Sequence, residues 1–458
     1  MRTHIGGRSW VPAIAAGVTL VTACAQAADS DRTARSPEVT HTGKAPTGYT
    51  VTFRYANANA KQVMIKGEWS FARPGELPQL APTPDHPVVE GQGLLPADWR
   101  PGDFPLQRPN STGPNFPVAP MTKGKDGVWT FTTPLPSGVF SYQFYVDCAP
   151  PAPGQQGAQQ GQPPCRSISD PSNRPWNEAG ANSVGVRAAN SQVYVPSDPA
   201  FGTVDYSWQA PAKVKGELAF VTYPSPGHVM PKDQNYLVVY TPPHYDAARA
   251  KPYPTLYLSH GGGENEMGWT TQGVAQNILD NMINSGEIQP IVVVMPNAMG
   301  YVNSELNEAY DKDLIANMIP FVEQHYRVSK SAMDRAFSGL SMGGMLTNTF
   351  IIRYPETFQY YGMMSAGLPP QWNTLTPEQI AALRGKAIWV GGGWQDVIHA
   401  QGFTAHTGPA REVSVFAKAG IPVTTSFVNG GHEWYVWRIE LKDFLTHTAF
   451  LPQPYAAW

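Results

Sequence analysis

The sequence predicts two domains of unlike architecture, an antiparallel β-sandwich followed by a three-layer α/β domain. Up to about residue 196, short runs alternate apolar and polar residues with a period of two, and turn residues separate them. Beyond about residue 214, short apolar runs alternate with helical stretches. That second pattern is typical of a largely parallel sheet with helices on both faces.

Length and composition narrow the classes of function. A chain of 458 residues has room for two or three domains. Its net charge of −3 and its 15% of charged residues do not favour a nucleic-acid surface. Thirteen tryptophans and 20 tyrosines supply aromatic area that suits sugars and aryl groups as ligands.

Residues 1–27 are predicted to be an export signal. Arg2 and Arg8 precede an apolar stretch, Val11 to Val21, that is too short to span a bilayer comfortably. The residues around Cys24 fit lipidation, which would tether the mature protein to a membrane, whereas Ala25 to Ala27 fit ordinary cleavage. Both readings predict an exported protein, either periplasmic, extracellular or held as a membrane-tethered lipoprotein.

The β-sandwich is predicted over 47–196, between a disordered tether at 28–46 and a polar linker at 197–213. A proline-rich insertion at about 74–120 has no predicted structure. The strand signals are the alternating runs Val51–Tyr55, Val63–Lys66, Val128–Phe131 and Phe140–Val146.

Two features of this region suggest further roles. Cys148 and Cys165 flank a loop rich in Pro, Gly and Gln, and an oxidising compartment would favour a disulfide between them over two free thiols. Trp69 and Trp99 are candidates for stacking on sugars, although packing in the core is the favoured alternative.

The α/β domain is predicted over 214–452, with right-handed crossovers and a functional site at the carboxyl edge of its sheet. A helix is predicted from Asp313 to Tyr326. The buried strands are predicted at Leu237–Tyr240, Thr255–Leu258, Ile291–Met295, Ala387–Val390 and Val423–Val428.

The stretch around Ser341 predicts a nucleophile. It reads Gly-Leu-Ser-Met-Gly between a strand and an apolar helical run, and such a turn projects its serine beyond the sheet edge. Gly339 and Gly343 are expected where a Cβ would collide with a neighbouring strand or helix. A glycine-rich turn without chemistry is the alternative.

A serine nucleophile needs a base and an acid to orient that base. His432 is the predicted base, because it lies in a loop between a predicted strand and a helix. Asp396 is the predicted acid, because glycines at a strand end present it at the same edge. Asp443 and Glu412, in predicted helices, and Glu433, on a different face, are weaker alternatives.

Two backbone N–H groups are expected to stabilise the oxyanion of a tetrahedral intermediate. One belongs to Met342, directly after the nucleophile. The other is expected from the glycine run that follows the strand ending at Leu258, where Gly261 and Gly262 are the candidates. This chemistry requires no metal and no organic cofactor.

Residues from about 215 to 450 resemble the esterase D-type branch of the α/β-hydrolases, whose closest members here are feruloyl and acetylxylan esterase-like. The resemblance implies that Ser341, Asp396 and His432 form a catalytic triad and that Trp269 and Trp434 bind substrate. It rests on the motifs His260–Glu266 with Trp269, Gly339–Gly344, Gly393–Asp396, and Gly430–Trp434 with Trp437–Arg438.

The preceding region is similar to the early-set immunoglobulin-like modules found before some esterases, which implies contact of the β-sandwich with glycan. The motifs that carry this second resemblance are Ala60–Val63, Lys125–Trp129, Leu135–Gly138 and Asp170–Asn173.

Together the two resemblances imply a secreted serine carboxylesterase acting on feruloyl or acetyl esters of plant polysaccharide. Acyl transfer and hydrolysis of siderophore esters of the enterochelin type are alternatives on the same fold. A glycan-binding protein without catalysis is the alternative of another class.

Overall fold

The structure is a computed structural model that describes residues 36–74, 94–106, 118–148, 167–173, 190–301, 306–396 and 408–451. The expected signal segment, Cys24, residues 28–35 of the expected tether and Cys165 lie outside these ranges. Cys148 is disulfide-bonded. Because Cys165 lies outside the described ranges, the pairing of these two cysteines stays a prediction. Within the described ranges, no helix combines the length and the apolar character needed to cross a membrane.

The described N-terminal strands are β1 (Glu38–His41), β2 (Tyr49–Ala56), β3 (Val63–Gly67), β4 (Phe71–Ala72), β5 (Phe104–Pro105), β6 (Val118–Pro120), β7 (Thr122–Lys123), β8 (Val128–Pro134), β9 (Gly138–Val146), β10 (Ser167–Ile168) and β11 (Ser191–Val195). They form two larger antiparallel sheets, and β4 pairs with β5 in a separate two-stranded sheet. One larger sheet has the strand order β1-β2-β8-β7, and the other has the order β10-β9-β3-β6 with β11 also paired to β9.

Both sheets contribute to one core. Val51 and Phe53 of β2 share it with Ile65 of β3 and Phe144 of β9, and all four side chains are fully buried. The alternation read from the sequence arises because one side chain in two faces this core. A β-rich N-terminal region is therefore confirmed, whereas its immunoglobulin-like character stays a prediction.

One expectation for this region needs correction, and the favoured reading of two tryptophans is confirmed. Glu38–His41 was expected to belong to a disordered tether, but it forms an edge strand paired with β2, and Glu38 makes an ion pair with Arg54 at 2.7 Å. Trp69 and Trp99 are only 2% and 5% exposed, so they pack in the core and offer no face to a sugar.

The second domain is built on an eight-stranded sheet. Its strands are β12 (Glu217–Pro224), β13 (Gln234–Thr241), β14 (Thr255–Ser259), β15 (Val292–Pro296), β16 (Arg335–Leu340), β17 (Tyr360–Met364), β18 (Ala387–Gly393) and β19 (Thr424–Val428). Their order is β12-β13-β15-β14-β16-β17-β18-β19. β12 and β13 are antiparallel to their neighbours, and the other strands run parallel.

Helices cover both faces of this sheet. Phe350 and Phe416 belong to the core on one face, and Ile278 and Leu441 belong to the core on the other, which confirms the three layers. The helices are α1 (Gly268–Thr271), α2 (Ala275–Asn284), α3 (Leu306–Asp313), α4 (Ile319–His325), α5 (Met342–Arg353), α6 (Pro377–Leu383), α7 (Pro409–Lys418) and α8 (Trp434–His447).

The helix expected over Asp313 to Tyr326 is divided. A turn of π-helix, Leu314–Met318, joins α3 to α4. Pro320 lies in the first turn of α4 and has no N–H to donate to the preceding turn, which accounts for the change of hydrogen-bond register. Leu314, Met318 and Val322 are nevertheless fully buried, as their spacing predicted.

Candidate active site

Ser341 sits at the sharp turn between β16 and α5, with φ of 52° and ψ of −112°. This is a sparsely populated conformation for a residue with a Cβ, and the surrounding structure must hold it. The Ser341 N–H donates to the Met364 carbonyl at 2.9 Å, and the Ser341 carbonyl accepts from the Met345 N–H at 3.0 Å. The serine is therefore fixed from both sides, at the carboxyl edge of the sheet.

The glycines beside the serine are sterically required, as predicted. A Cβ on Gly339 would lie 2.7 Å from the backbone of Gly343. A Cβ on Gly343 would lie 2.8 Å from the carbonyl oxygens of both Ser259 and His260. These contacts are with backbone atoms, so a side chain at either position would push α5 away from β14 or β16.

The structure brings Ser341, His432 and Asp396 together. His432 Nε2 lies 2.9 Å from Ser341 Oγ, and His432 Nδ1 lies 2.8 Å from Asp396 Oδ2. The Asp396 side chain is 1% exposed and that of His432 is 26% exposed. A proton on Nδ1 is therefore held by a buried carboxylate, which leaves the Nε2 lone pair directed at the serine hydroxyl.

The acid loop, residues 394–396, packs against the histidine loop, residues 429–433. The Gln395 N–H donates to the Gly430 carbonyl at 3.0 Å, and the Gly430 N–H donates to Gln395 Oε1 at 2.7 Å. A Cβ on Gly393 would lie 2.1 Å from that same carbonyl. Trp394 instead points outward, 51% exposed and packed on Phe427, so its bulk does not separate the loops.

The glycine run after β14 lies beside the nucleophile. A Cβ on Gly261 would lie 3.6 Å from Ser341 Cβ, whereas a Cβ on Gly262 would meet nothing within 4 Å. His260 braces the run, because its Nε2 accepts from the Ala298 N–H at 3.0 Å and its Nδ1 lies 2.7 Å from the Gly261 carbonyl. Burial lowers the pKa of His260 to about 4, so this imidazole is neutral and structural.

Glu264 occupies the position next to the expected oxyanion donors, and no role was predicted for it. Its Oε2 accepts from the Gly261 N–H at 3.2 Å, and its Oε1 accepts from Trp434 Nε1 at 3.2 Å. The Gly261 N–H is therefore already bonded, which counts against the prediction that it is an oxyanion donor. Burial raises the pKa of Glu264 to about 7. The position of an acidic residue directly after a glycine run was the available sequence signal for such a role. The contact with Trp434 joins residues that are far apart in the chain, so the sequence does not predict it.

The expectation that Trp269 and Trp434 contact substrate is corrected. They are 1% and 5% exposed, and their rings pack edge to face at 5.2 Å. Trp269 Nε1 donates to the Ser259 carbonyl at 2.9 Å, so its polar atom is also satisfied inside the domain. Both indoles thus pack inside the domain and brace the oxyanion loop, residues 260–264, through Ser259 and Glu264.

The alternative acids are placed elsewhere. Asp443 accepts from Trp389 Nε1 at 2.7 Å, Glu433 accepts from the Gly431 N–H at 2.9 Å, and Glu412 is buried in α7. Glu440 is a further carboxyl in α8, and burial together with the charges of Asp396 and Asp443 raises its pKa well above the ordinary value.

An eight-stranded, mostly parallel sheet with a serine, a histidine and an aspartate at its carboxyl edge defines an α/β-hydrolase. Residues 229–448 match the family model described as putative esterase. This part of the chain is therefore an esterase-type α/β-hydrolase domain.

Two curated relatives match parts of the chain. An endo-1,4-beta-xylanase/feruloyl esterase of Xylanibacter ruminicola is 29% identical over 329 residues, which cover 69% of this chain and 39% of the relative. Endo-1,4-beta-xylanase Y of Acetivibrio thermocellus is 34% identical over 163 residues, which cover 33% of this chain and 14% of the relative. The matches thus span well under half the length of either relative.

Among solved structures, the enterobactin esterase of Shigella flexneri is 16% identical with a TM-score of 0.49. The match covers 90% of this chain and 95% of that one.

Proposed function

We propose that this protein is a serine carboxylic ester hydrolase that forms an acyl-enzyme on Ser341. One observation carries the proposal: the continuous hydrogen-bonded line from Ser341 Oγ through the His432 imidazole to the buried Asp396 carboxylate. A serine hydroxyl attacks esters efficiently only when a positioned base removes its proton.

The geometry supports the following sequence of steps. His432 Nε2 takes the Ser341 proton as Oγ attacks the ester carbonyl carbon, and Asp396 stabilises the imidazolium that forms. The oxyanion develops beside the N–H groups of Met342 and Gly262, because the Gly261 N–H already donates to Glu264 Oε2. The imidazolium then protonates the departing alkoxide, and water, activated by the same imidazole, hydrolyses the acyl-enzyme.

Feruloyl or acetyl esters of plant polysaccharide are the proposed substrates, in a protein proposed to act after export. The support is the relative named endo-1,4-beta-xylanase/feruloyl esterase, whose similarity covers 69% of this chain. Glycan contact by the β-sandwich gains no support from Trp69 and Trp99, since both are buried.

The test replaces Ser341 with alanine. Activity on methyl ferulate and short nitrophenyl esters should fall by about four orders of magnitude or more. Ser338→Ala is the matched control, because this hydroxyl lies on the strand leading to Ser341 and donates to the Gly362 carbonyl at 2.9 Å. An S341A protein that retains a tenth of the wild-type activity would refute the assignment of Ser341 as the nucleophile.

A substrate panel assigns the ester. It comprises methyl ferulate, acetylated xylan, a nitrophenyl acetate and an enterobactin-type trilactone. The proposal expects the highest kcat/KM on one of the first two. Preference for the trilactone, or transfer of the acyl group to an added sugar, would redirect it to a siderophore esterase or an acyltransferase.

A further inference from the structure

Arg438 joins the two domains directly behind the histidine loop. It lies in α8, which begins right after that loop, and it is 2% exposed. Its Nη2 donates to the carbonyl of Val139 in β9 at 3.0 Å, and its Nη1 donates to the carbonyl of Gln272 after α1 at 2.6 Å. One guanidinium therefore binds the backbone of both domains.

A largely buried carboxylate of the N-terminal region, Glu68, faces the same guanidinium and is 12% exposed. Glu68 Oε2 lies 4.0 Å from Arg438 Nη2 and accepts from the Ser141 N–H at 2.9 Å. Burial raises the pKa of Glu68, and the positive charge of Arg438 opposes that rise. Removing the arginine would leave a carboxylate buried without its countercharge, a costly arrangement.

The N-terminal region also touches the histidine loop itself. A Cβ on Gly431 would lie 3.1 Å from Leu106 Cδ1, so Leu106 packs against the residue that precedes His432. Ala72, Phe104 and Leu106 form a small buried cluster against Tyr435. The loop that carries His432 and the start of α8 are thus in contact with side chains of the other domain.

Trp437 completes the connection from the interface to the imidazole. Its ring meets the His432 ring edge to face at 5.0 Å and 90°, and it is the residue next to Arg438 in α8. A shift of the first turns of α8 would therefore move both the loop and the ring that packs on His432.

We propose that Arg438 is a positioning residue for His432 and that the N-terminal β-region is an integral support of the catalytic site. This inference rests on the proposed function, because it assumes that His432 is the base. Catalysis that depends on sub-ångström placement of a base loses rate when its support loosens.

The first test compares Arg438→Met with the wild type in the full chain. The kcat on methyl ferulate should fall at least about tenfold, with KM changed less than about threefold, because the base moves while the substrate surface remains. The rate of labelling of Ser341 by a fluorophosphonate should fall in parallel. Thermal unfolding by circular dichroism establishes that the assays use folded protein.

Two companion variants separate positioning from stability. Lys442→Met is the matched control, since Lys442 lies on the same helix but pairs with Glu287 of its own domain. It should keep kcat near the wild-type value. Arg438→Lys retains a charge for Glu68 but cannot bind both carbonyls as a planar fork, so it should recover the unfolding temperature more fully than kcat.

Leu106→Ala is a second test of the same inference, and it applies even if Arg438→Met does not fold. It removes the contact with Gly431 while leaving the guanidinium in place, and it should lower kcat severalfold at unchanged KM. Wild-type kcat in folded R438M, or in L106A, would overturn the inference. An inactive wild type, or an active Ser341→Ala, would instead defeat the proposed function.

Discussion

Gly343→Ala tests whether the oxyanion site depends on the close packing of α5 against β14. The new Cβ would lie 2.8 Å from the carbonyl oxygens of Ser259 and His260. An ordinary contact begins at about 3.4 Å, so the first turn of α5 must retreat by about 0.6 Å. That turn carries Met342, whose N–H is the proposed oxyanion donor.

The expected result is a loss in kcat rather than in KM. Removing one oxyanion donor outright costs about 100- to 1,000-fold in kcat, and a displacement of roughly 1 Å at a reacting group can cost about 100-fold. A retreat of about 0.6 Å should therefore lower kcat by roughly tenfold to 100-fold. Steady-state kinetics on a nitrophenyl ester and on methyl ferulate measure it.

Gly392→Ala is the matched control. This glycine is also buried in the sheet, in β18, but its nearest contact would be Pro409 Cγ at 3.4 Å, an ordinary separation. The control should keep kcat within about threefold. Wild-type kcat in a folded G343A protein would refute the reasoning, because it would mean that the placement of the Met342 N–H does not limit catalysis.

Two further predictions concern buried carboxyls. Asp396→Asn should lower kcat by about three to four orders of magnitude with KM nearly unchanged, because the amide cannot stabilise the imidazolium; a loss below tenfold in steady-state kinetics would contradict that role. Burial raises the pKa of Glu412 from 4.5 to about 8, so this group contributes stability below pH 4.5 that is lost as pH rises through about 8. The free energy of unfolding of Glu412→Gln in urea should match that of the wild type at pH 4 and exceed it at pH 9, by about 5 kcal/mol at roughly 1.4 kcal/mol per pH unit. Glu356→Gln is the control, because Glu356 is exposed. Equal free energies of unfolding of the wild type and E412Q at pH 9 would show that the Glu412 carboxyl is not desolvated.

The elements that position the candidate site were predictable because their signals are local. Ser341, Asp396 and His432 each follow a strand in a parallel sheet, and the carboxyl ends of such strands meet at one edge. Glycine at 339 and 343 was predictable for the same reason, since a strand–turn–helix leaves no room for a Cβ. The predicted strands differ from the observed ones in their terminal residues, because hydrogen bonding and not the apolar pattern decides where a strand ends.

Features that depend on contacts between distant segments were not predictable. The resemblance to esterases implied that Trp269 and Trp434 bind substrate, but their burial depends on how α1 and α8 meet. The strand at Glu38–His41 is polar, and only its pairing with β2 makes it ordered. The contact of Arg438 with Val139 joins two domains, and no spacing in the sequence points to it.

Glu264 connects the oxyanion loop to α8, the helix that follows the histidine loop. Trp434 is the first residue of α8, and its indole N–H donates to the same carboxyl that accepts from the Gly261 N–H. With a pKa of about 7, this carboxyl is partly neutral near pH 7, and the neutral form places no negative charge where the oxyanion would develop. Arg438 fixes the same helix to the β-region. The oxyanion loop, the histidine loop and the N-terminal sheets therefore meet on α8, and a disturbance of that helix reaches all three.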